Sequence, residues 1–160
     1  MGIFDRTTKG QVTPAIEVTL ERGALQFFAE TIGETDPIYL NPKAAQAAGH
    51  PDILAPATYA VVVGTLADQQ ARRAGQPDIL ARINGDLRVL LHGTESYTYH
   101  GPMYANDTVQ VENEITDFTD AKGGALEIAH ITTRILHPTR GLLVEASRSL
   151  IHRLPEEDSP

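Results

Sequence analysis

From residue 87 to residue 151 the chain alternates. The runs 87–91, 95–99, 108–118, 126–136 and 142–151 each place apolar beside polar residues at a period of two, most plainly in Val109, Val111, Asn113 and Ile115. That period belongs to strands with one buried and one wetted face, because successive side chains of a strand point to opposite sides. Lys122-Gly123-Gly124 and Thr139-Arg140-Gly141 fall between the later runs and read as hairpin turns, so an antiparallel meander is predicted. Such a sheet needs an apolar element to cover its inner face.

The covering element lies upstream. Pro56 stops whatever precedes it, Thr58 is placed to cap, and a helix is predicted through Tyr59, Val62, Val63, Leu66 and Gln70 to Gly75. Its segment VVVGTLA is apolar almost all round, the mark of a buried helix rather than a surface one, and Arg72 and Arg73 complement the dipole in its last turn. One apolar helix followed by a meander gives an α+β class, the hot-dog fold, in which an antiparallel curved sheet wraps a central apolar helix. Before the helix, AIEVTL (15–20) reads as a short strand, and 21–32 sets Leu25, Phe28, Ala29 and Ile32 at helical spacing. Residues 33–56 hold four prolines, two glycines and the helix-friendly AAQAA of 44–48, a long loop carrying one short helix. No repeat or interior linker divides the 160 residues, so one domain is expected over 1–154 with an acidic tail at 155–160.

Thirteen Lys and Arg against 21 Asp and Glu give a net charge of −8, a poor footing for phosphate backbones, so no nucleic-acid partner is expected. There is no cysteine, hence no disulfide, thiolate metal site or thiol nucleophile. No apolar run approaches membrane-spanning length and the first ten residues lack a secretion signal, so a cytoplasmic protein without a membrane partner is the expectation.

Two segments carry candidate chemistry. In the loop 33–42, the carboxylates of Glu34 and Asp36 and the phenol of Tyr39 fall within six residues, although Asp36 before Pro37 is also a common turn opener. At 55–58 the start of the buried helix offers backbone N–H groups that can polarise a carbonyl as it becomes an enolate. The six histidines show no zinc-helix spacing, so no metal is expected. His50, His130, His137 and His152 read as surface or strand residues, whereas His92 and His100 lie at strand ends where a site can reach them. Ser147 and Ser149 sit in a strand rather than a nucleophile elbow.

The stretches FFAETIGETDPIYLNPKAAQAAGHPDILAPATY, LHGTESYTYHGPMYANDTVQVENEITDF, KGGALEIAHITTRI and GLLVEASRSLI resemble the MaoC-like dehydratases, especially their FAS1-like N-terminal domain, over roughly residues 12–153. The resemblance implies a hot-dog domain of the (R)-specific enoyl-thioester hydratase and 3-hydroxyacyl-thioester dehydratase class, acting on acyl-CoA or acyl-ACP without a cofactor. In active members a G-D-x-N-P-x-H loop supplies an aspartate and a histidine. Here the aspartate position falls on Glu34, the asparagine on Asp36, the proline on Pro37 and the histidine on Tyr39. Histidine near neutrality both takes and gives a proton, whereas a phenol mostly donates. In this the chain is similar to the non-catalytic halves of the family, N-terminal domains of double hot dogs or subunits of mycobacterial-type heterodimers. The resemblance implies substrate contacts at Pro56, Ala57, Thr58 and Tyr59, with His92 as a further candidate, and a homo- or hetero-dimer with another hot-dog subunit. Asn106 stands where the family usually has glycine, and Asn tolerates the left-handed turn. Two alternatives remain open: a self-sufficient hydratase using Glu34 with Tyr39 or His92, and a thioesterase-type hot dog. Lys43, Arg72, Arg73, Arg82 and Arg88 are candidates for a patch that receives an acidic carrier or the phosphates of CoA.

Overall fold

The computed structural model describes residues 2–154, so the expected acidic tail lies outside the described residues. Five strands form one antiparallel sheet: β1 (Ile16–Thr19), β2 (Leu90–Tyr99), β3 (Thr108–Ala121), β4 (Leu126–His137) and β5 (Gly141–Arg153), in the order β1-β3-β4-β5-β2. Four helices complete the described chain: α1 (Arg22–Thr31), α2 (Pro42–Ala47), α3 (Tyr59–Arg73) and α4 (Ile79–Arg82). The sheet curves around α3, and the chain has the hot-dog architecture.

The alternation of the later strands becomes burial. Val109, Val111 and Ile115 of β3, Ile131 and Ile135 of β4 and Val144 and Leu150 of β5 are all buried, and in β3 and β4 the residues on either side of them are at least partly wetted, whereas in β5 Leu143 and Ser149 are buried as well. Val111 faces Ile135 and Ile115 faces Ile131, so the period of two sets the register as well as the face. Ala60, Val63, Ala67 and Ala71 give α3 a stripe of small residues that brings its axis close to the strands. Leu20, Leu25, Ile53 and Met103 close this cluster at the end where α3 begins. A second cluster, of Phe4, Ile79, Ile83, Ala129, Ile131 and Leu150, fills the other end. Burial of each large aliphatic side chain stabilises the fold by about 1.5–3 kcal/mol. Between the clusters the inner face carries buried Asn113 and Thr133, whose hydroxyl donates to Asn113 Oδ1 at 2.5 Å, so neither polar group is left without a partner.

Four features depart from the sequence reading. The runs 87–91 and 95–99 are one strand, β2, interrupted by a bulge between His92 and Glu95, while residues 87–89 form a turn held by Asp86, which accepts from Arg88 N at 3.0 Å. Thr58 does not cap α3 with its side chain: its own backbone is helical (φ −72°, ψ −7°), and a side-chain cap needs an extended residue there. The central helix is not apolar to its neighbours all round, since Val61 is 43% exposed and Thr65 faces solvent. Helix α4 was not foreseen; Asp78 caps it by accepting from Ala81 N at 2.8 Å.

Candidate functional site

The loop after α1 is organised by its own short side chains. Gly33 turns with φ +75°, Glu34 N donates to Ala29 O at 2.9 Å, and the Glu34 carboxylate accepts from Thr35 N at 2.8 Å and Asp36 N at 3.0 Å. Asp36 then caps a single 3-10 turn, Pro37–Tyr39, by accepting from Ile38 N at 3.0 Å. Asn41 caps α2 in the same way through Lys43 N at 2.9 Å, with Pro42 in the first helical position. Long-range bonds fasten this loop to the body: Gln26 Nε2 donates to Leu40 O at 2.8 Å, and Leu54 N to Ile38 O at 3.1 Å. Tyr39 is thereby set beside the segment that leads into α3.

That segment is itself pinned. Ala55 N donates to Met103 O at 2.8 Å and Ala105 N to Ile53 O at 3.0 Å, a short ladder around the Leu54–Tyr104 bridge. Asp107, after Asn106 at φ +66°, holds the opposite side by accepting from Tyr104 N at 2.7 Å and pairing with Arg140. Arg140 also donates to Pro102 O at 2.7 Å and lies 5.1 Å from the Tyr104 ring centroid. At the start of α3, Tyr59 N donates to Pro56 O at 2.8 Å, and among the described residues the N–H groups of Ala57 and Thr58 have no backbone acceptor. Tyr99 at the end of β2 donates its hydroxyl to Ala57 O at 3.0 Å, tying the helix start to the sheet edge. Burial pushes the Tyr99 phenol up from its ordinary value, which keeps it a donor.

These constraints leave an open groove of about 380 Å³. Its floor is apolar, made by Leu54, Ala55, Met103 and Val144, of which the last two are 4% and 1% exposed. Its polar side chains are Tyr39, Tyr99 and His100, and Ala57 at the start of α3 completes the wall. An amphiphile whose tail seeks the floor and whose head needs hydrogen-bond donors fits such a surface.

Of the residues singled out in the sequence, Tyr39 and Ala57 meet in this groove, and Pro56 and Thr58 flank Ala57 in the chain. Glu34 and Asp36 are not among its lining; their carboxylates are bound to the backbone of their own loop. Tyr59 turns into the core at 2% exposure, edge-on to Phe28 with ring centroids 5.2 Å apart, and burial followed by the charge of Glu21 raises its phenol. His92 is exposed towards the other end of β2, about 23 Å from Tyr99 at roughly 3.3 Å per residue. His100 lines the groove, and so do Met103 and Val144, which the sequence reading did not select. The signal for His100 was its place at a strand end before Gly101-Pro102. Among the described residues no cluster of three or more His, Asp or Glu side chains is arranged to hold a metal.

A family model described as FAS1-like, dehydratase domain region, matches residues 7–141. The chain belongs to the FAS1-like dehydratase family. The chain is similar to a UPF0336 protein of Clavibacter michiganensis subsp. michiganensis, 33% identical over 122 residues, covering 76% of this chain and 78% of that protein. Among solved structures it is similar to a MaoC-like dehydratase, with a TM-score of 0.75 and 17% identity over 97% of this chain and 45% of the other. It is also similar to a chain of the HadBC (3R-hydroxyacyl-ACP dehydratase) complex of Mycobacterium tuberculosis, with a TM-score of 0.71 and 17% identity over 90% and 96% of the two chains. At these identities the two structures show a shared fold.

Proposed function

We propose that this chain is an acyl-thioester-binding subunit of the (R)-specific enoyl-thioester hydratase and 3-hydroxyacyl-thioester dehydratase class, working beside a catalytic hot-dog partner. The observation that carries the reading is the groove itself: an apolar floor beside the start of α3, with no carboxylate and imidazole from the 34–39 loop reaching it. The acyl chain lies on Met103, Val144 and Leu54. The thioester carbonyl is received by the N–H groups at the start of α3, which the helix itself does not use and which strengthen their bond as negative charge grows on the oxygen. Hydration moves one water and its protons, so the class calls for no redox or group-transfer cofactor. It does call for a base that takes a proton from water and an acid that returns one to C2. With Glu34 bound to Thr35 and Asp36 and a phenol at position 39, that relay comes from the partner. The ligand is an acyl-CoA or acyl-ACP, and the heteromeric nature of the similar HadBC complex supports a two-subunit arrangement.

The test is turnover of crotonyl-CoA by the purified chain alone and after addition of a second hot-dog subunit bearing the intact aspartate and histidine. Alone, hydration is expected to be at least about 100-fold slower than in the mixture, in line with the usual contribution of general acid–base groups. Full-rate hydration by the isolated chain overturns the reading. If that rate is lost in Glu34→Gln and Tyr39→Phe, this chain carries its own relay. Release of free thiol in place of hydration makes it a thioesterase.

A further inference from the structure

The groove offers a ligand the backbone N–H groups at the start of α3 and the side chains of Tyr39, Tyr99 and His100. Tyr99 donates its hydroxyl to Ala57 O. Tyr39 offers a single phenol oxygen from the loop wall, whereas an imidazole carries its donor and its acceptor on separate nitrogens. His100 reaches the same groove from β2's end, exposed, with its backbone N–H fixed to Leu143 O at 2.8 Å. Its ring makes no hydrogen bond to another described side chain, while its main chain is held in place by β5. The head of a 3-hydroxyacyl thioester carries two oxygens with different needs. The carbonyl only accepts, which suits the N–H groups at the start of α3. The hydroxyl at C3 both donates and accepts, which suits an imidazole.

We infer that His100 hydrogen-bonds the C3 oxygen of the acyl group held in this groove, making it the residue that distinguishes 3-hydroxyacyl from saturated acyl thioesters. The inference rests on the proposal that the groove binds acyl thioesters, and it adds which end of the ligand is read by which wall. It also separates two imidazoles that the sequence offered on equal terms, because His92 lies at the far end of the same strand. A site built to hydrogen-bond a hydroxyl rejects the analogue that lacks it, since its own polar group is then left without a partner.

The experiment is calorimetric titration of the full chain with (R)-3-hydroxybutyryl-CoA and with butyryl-CoA, for the natural sequence, His100→Leu and His100→Gln. The natural chain is expected to bind the hydroxylated thioester about tenfold more tightly, the ratio given by one good hydrogen bond. His100→Leu is expected to abolish that ratio with the affinity for butyryl-CoA kept, and His100→Gln to retain part of it. His100 is exposed and its hydrogen bond within the fold is made by its backbone, so both variants are expected to fold, and a thermal melt matching the natural chain checks this. An unchanged ratio in His100→Leu overturns the inference and leaves thioester binding standing. Failure of the natural chain to bind either thioester overturns both.

Discussion

Gly93 occupies a point on β2 where a side chain has no room. A Cβ built there collides with the hydroxyl of Ser149 and comes within 2.9 Å of Ile151 Cδ1, and that same hydroxyl accepts from Thr94 N at 2.8 Å. Gly93→Ala is therefore expected to destabilise the fold by about 1–3 kcal/mol, and Ser149→Ala in the same chain to recover part of the loss. Gly64 in the middle of α3 is the opposite case, with nothing within 4 Å of its Cβ direction, so Gly64→Ala is expected to stabilise by about 1 kcal/mol. Thermal unfolding separates the two, at roughly 2–4 °C per kcal/mol for a chain of this size; shifts of the same sign sink the argument. The bulge around Gly93 also marks where residue-level reading of the site stopped. Asp36-Pro37 and Asn41-Pro42 were legible as turn and cap because their side chains bond backbone within three residues. Which of His92 and His100 reaches the groove is decided by how β2 lies against β5, and no spacing within residues 92–100 records that pairing.

At the scale of elements, the long strands were legible because one buried face repeats over ten or more residues, and α3 because its apolar segment matched no surface helix. A four-residue helix such as α4 has no such repeat, and the fusion of 87–91 and 95–99 into β2 depends on β5 rather than on β2's own letters. The pairing of β4 with β5 adds a property invisible to periodicity: Glu127 and His152, both fully buried, face each other across the strands. Glu127 accepts from Ile3 N at 2.7 Å, Phe4 N at 3.0 Å and Arg6 Nε at 3.1 Å, while Phe4 stacks on the His152 ring at 4.0 Å. His152 Nε2 accepts from Asp86 N at 3.0 Å, so the ring must be neutral, and burial holds its pKa below the ordinary histidine value although Glu127 and Asp86 pull the other way. The unfolded chain, with histidine near 6.5, binds the proton that the fold refuses, so stability is expected to fall as pH drops from 7 towards 5, by at most about 1.4 kcal/mol per pH unit. Asp86, lowered to about 2 by Arg88, contributes its own loss only below pH 4. Denaturant melts at pH 7, 6 and 5 test this. His152→Phe is expected to flatten the slope while lowering stability at pH 7 by about 1–2 kcal/mol, because Asp86 N loses its acceptor. An unchanged slope in that variant would place the titration elsewhere.

For the molecule as a whole, the open question is what lies beyond the sheet. Its two edges differ: β1 is four residues long, whereas β2 runs for ten and is hydrogen-bonded only to β5 among the described residues. A long bare edge is a template for another strand, and soluble proteins ordinarily shorten, charge or cover it. This one carries a single carboxylate, Glu95, within the strand. Leu87 and Val89 ahead of β2 and Leu91 and Tyr99 within it are 73%, 39%, 56% and 47% exposed, and the strand ends at the groove that takes Tyr99 and His100 as wall. A strand laid on this edge would remove apolar surface from water beside the groove, so if the groove binds the proposed thioester, assembly and binding are expected to favour each other by the same factor. A dimer or larger species is expected at micromolar concentration, with a copy of itself or with the proposed hot-dog partner. Leu87→Lys together with Leu91→Lys is expected to raise the dissociation constant at least tenfold, while crotonyl-CoA lowers it in the natural chain. Sedimentation velocity across a concentration series with and without crotonyl-CoA reads both effects. A monomer that persists at high micromolar concentration, unmoved by the thioester, refutes the assignment of β2 as an interface.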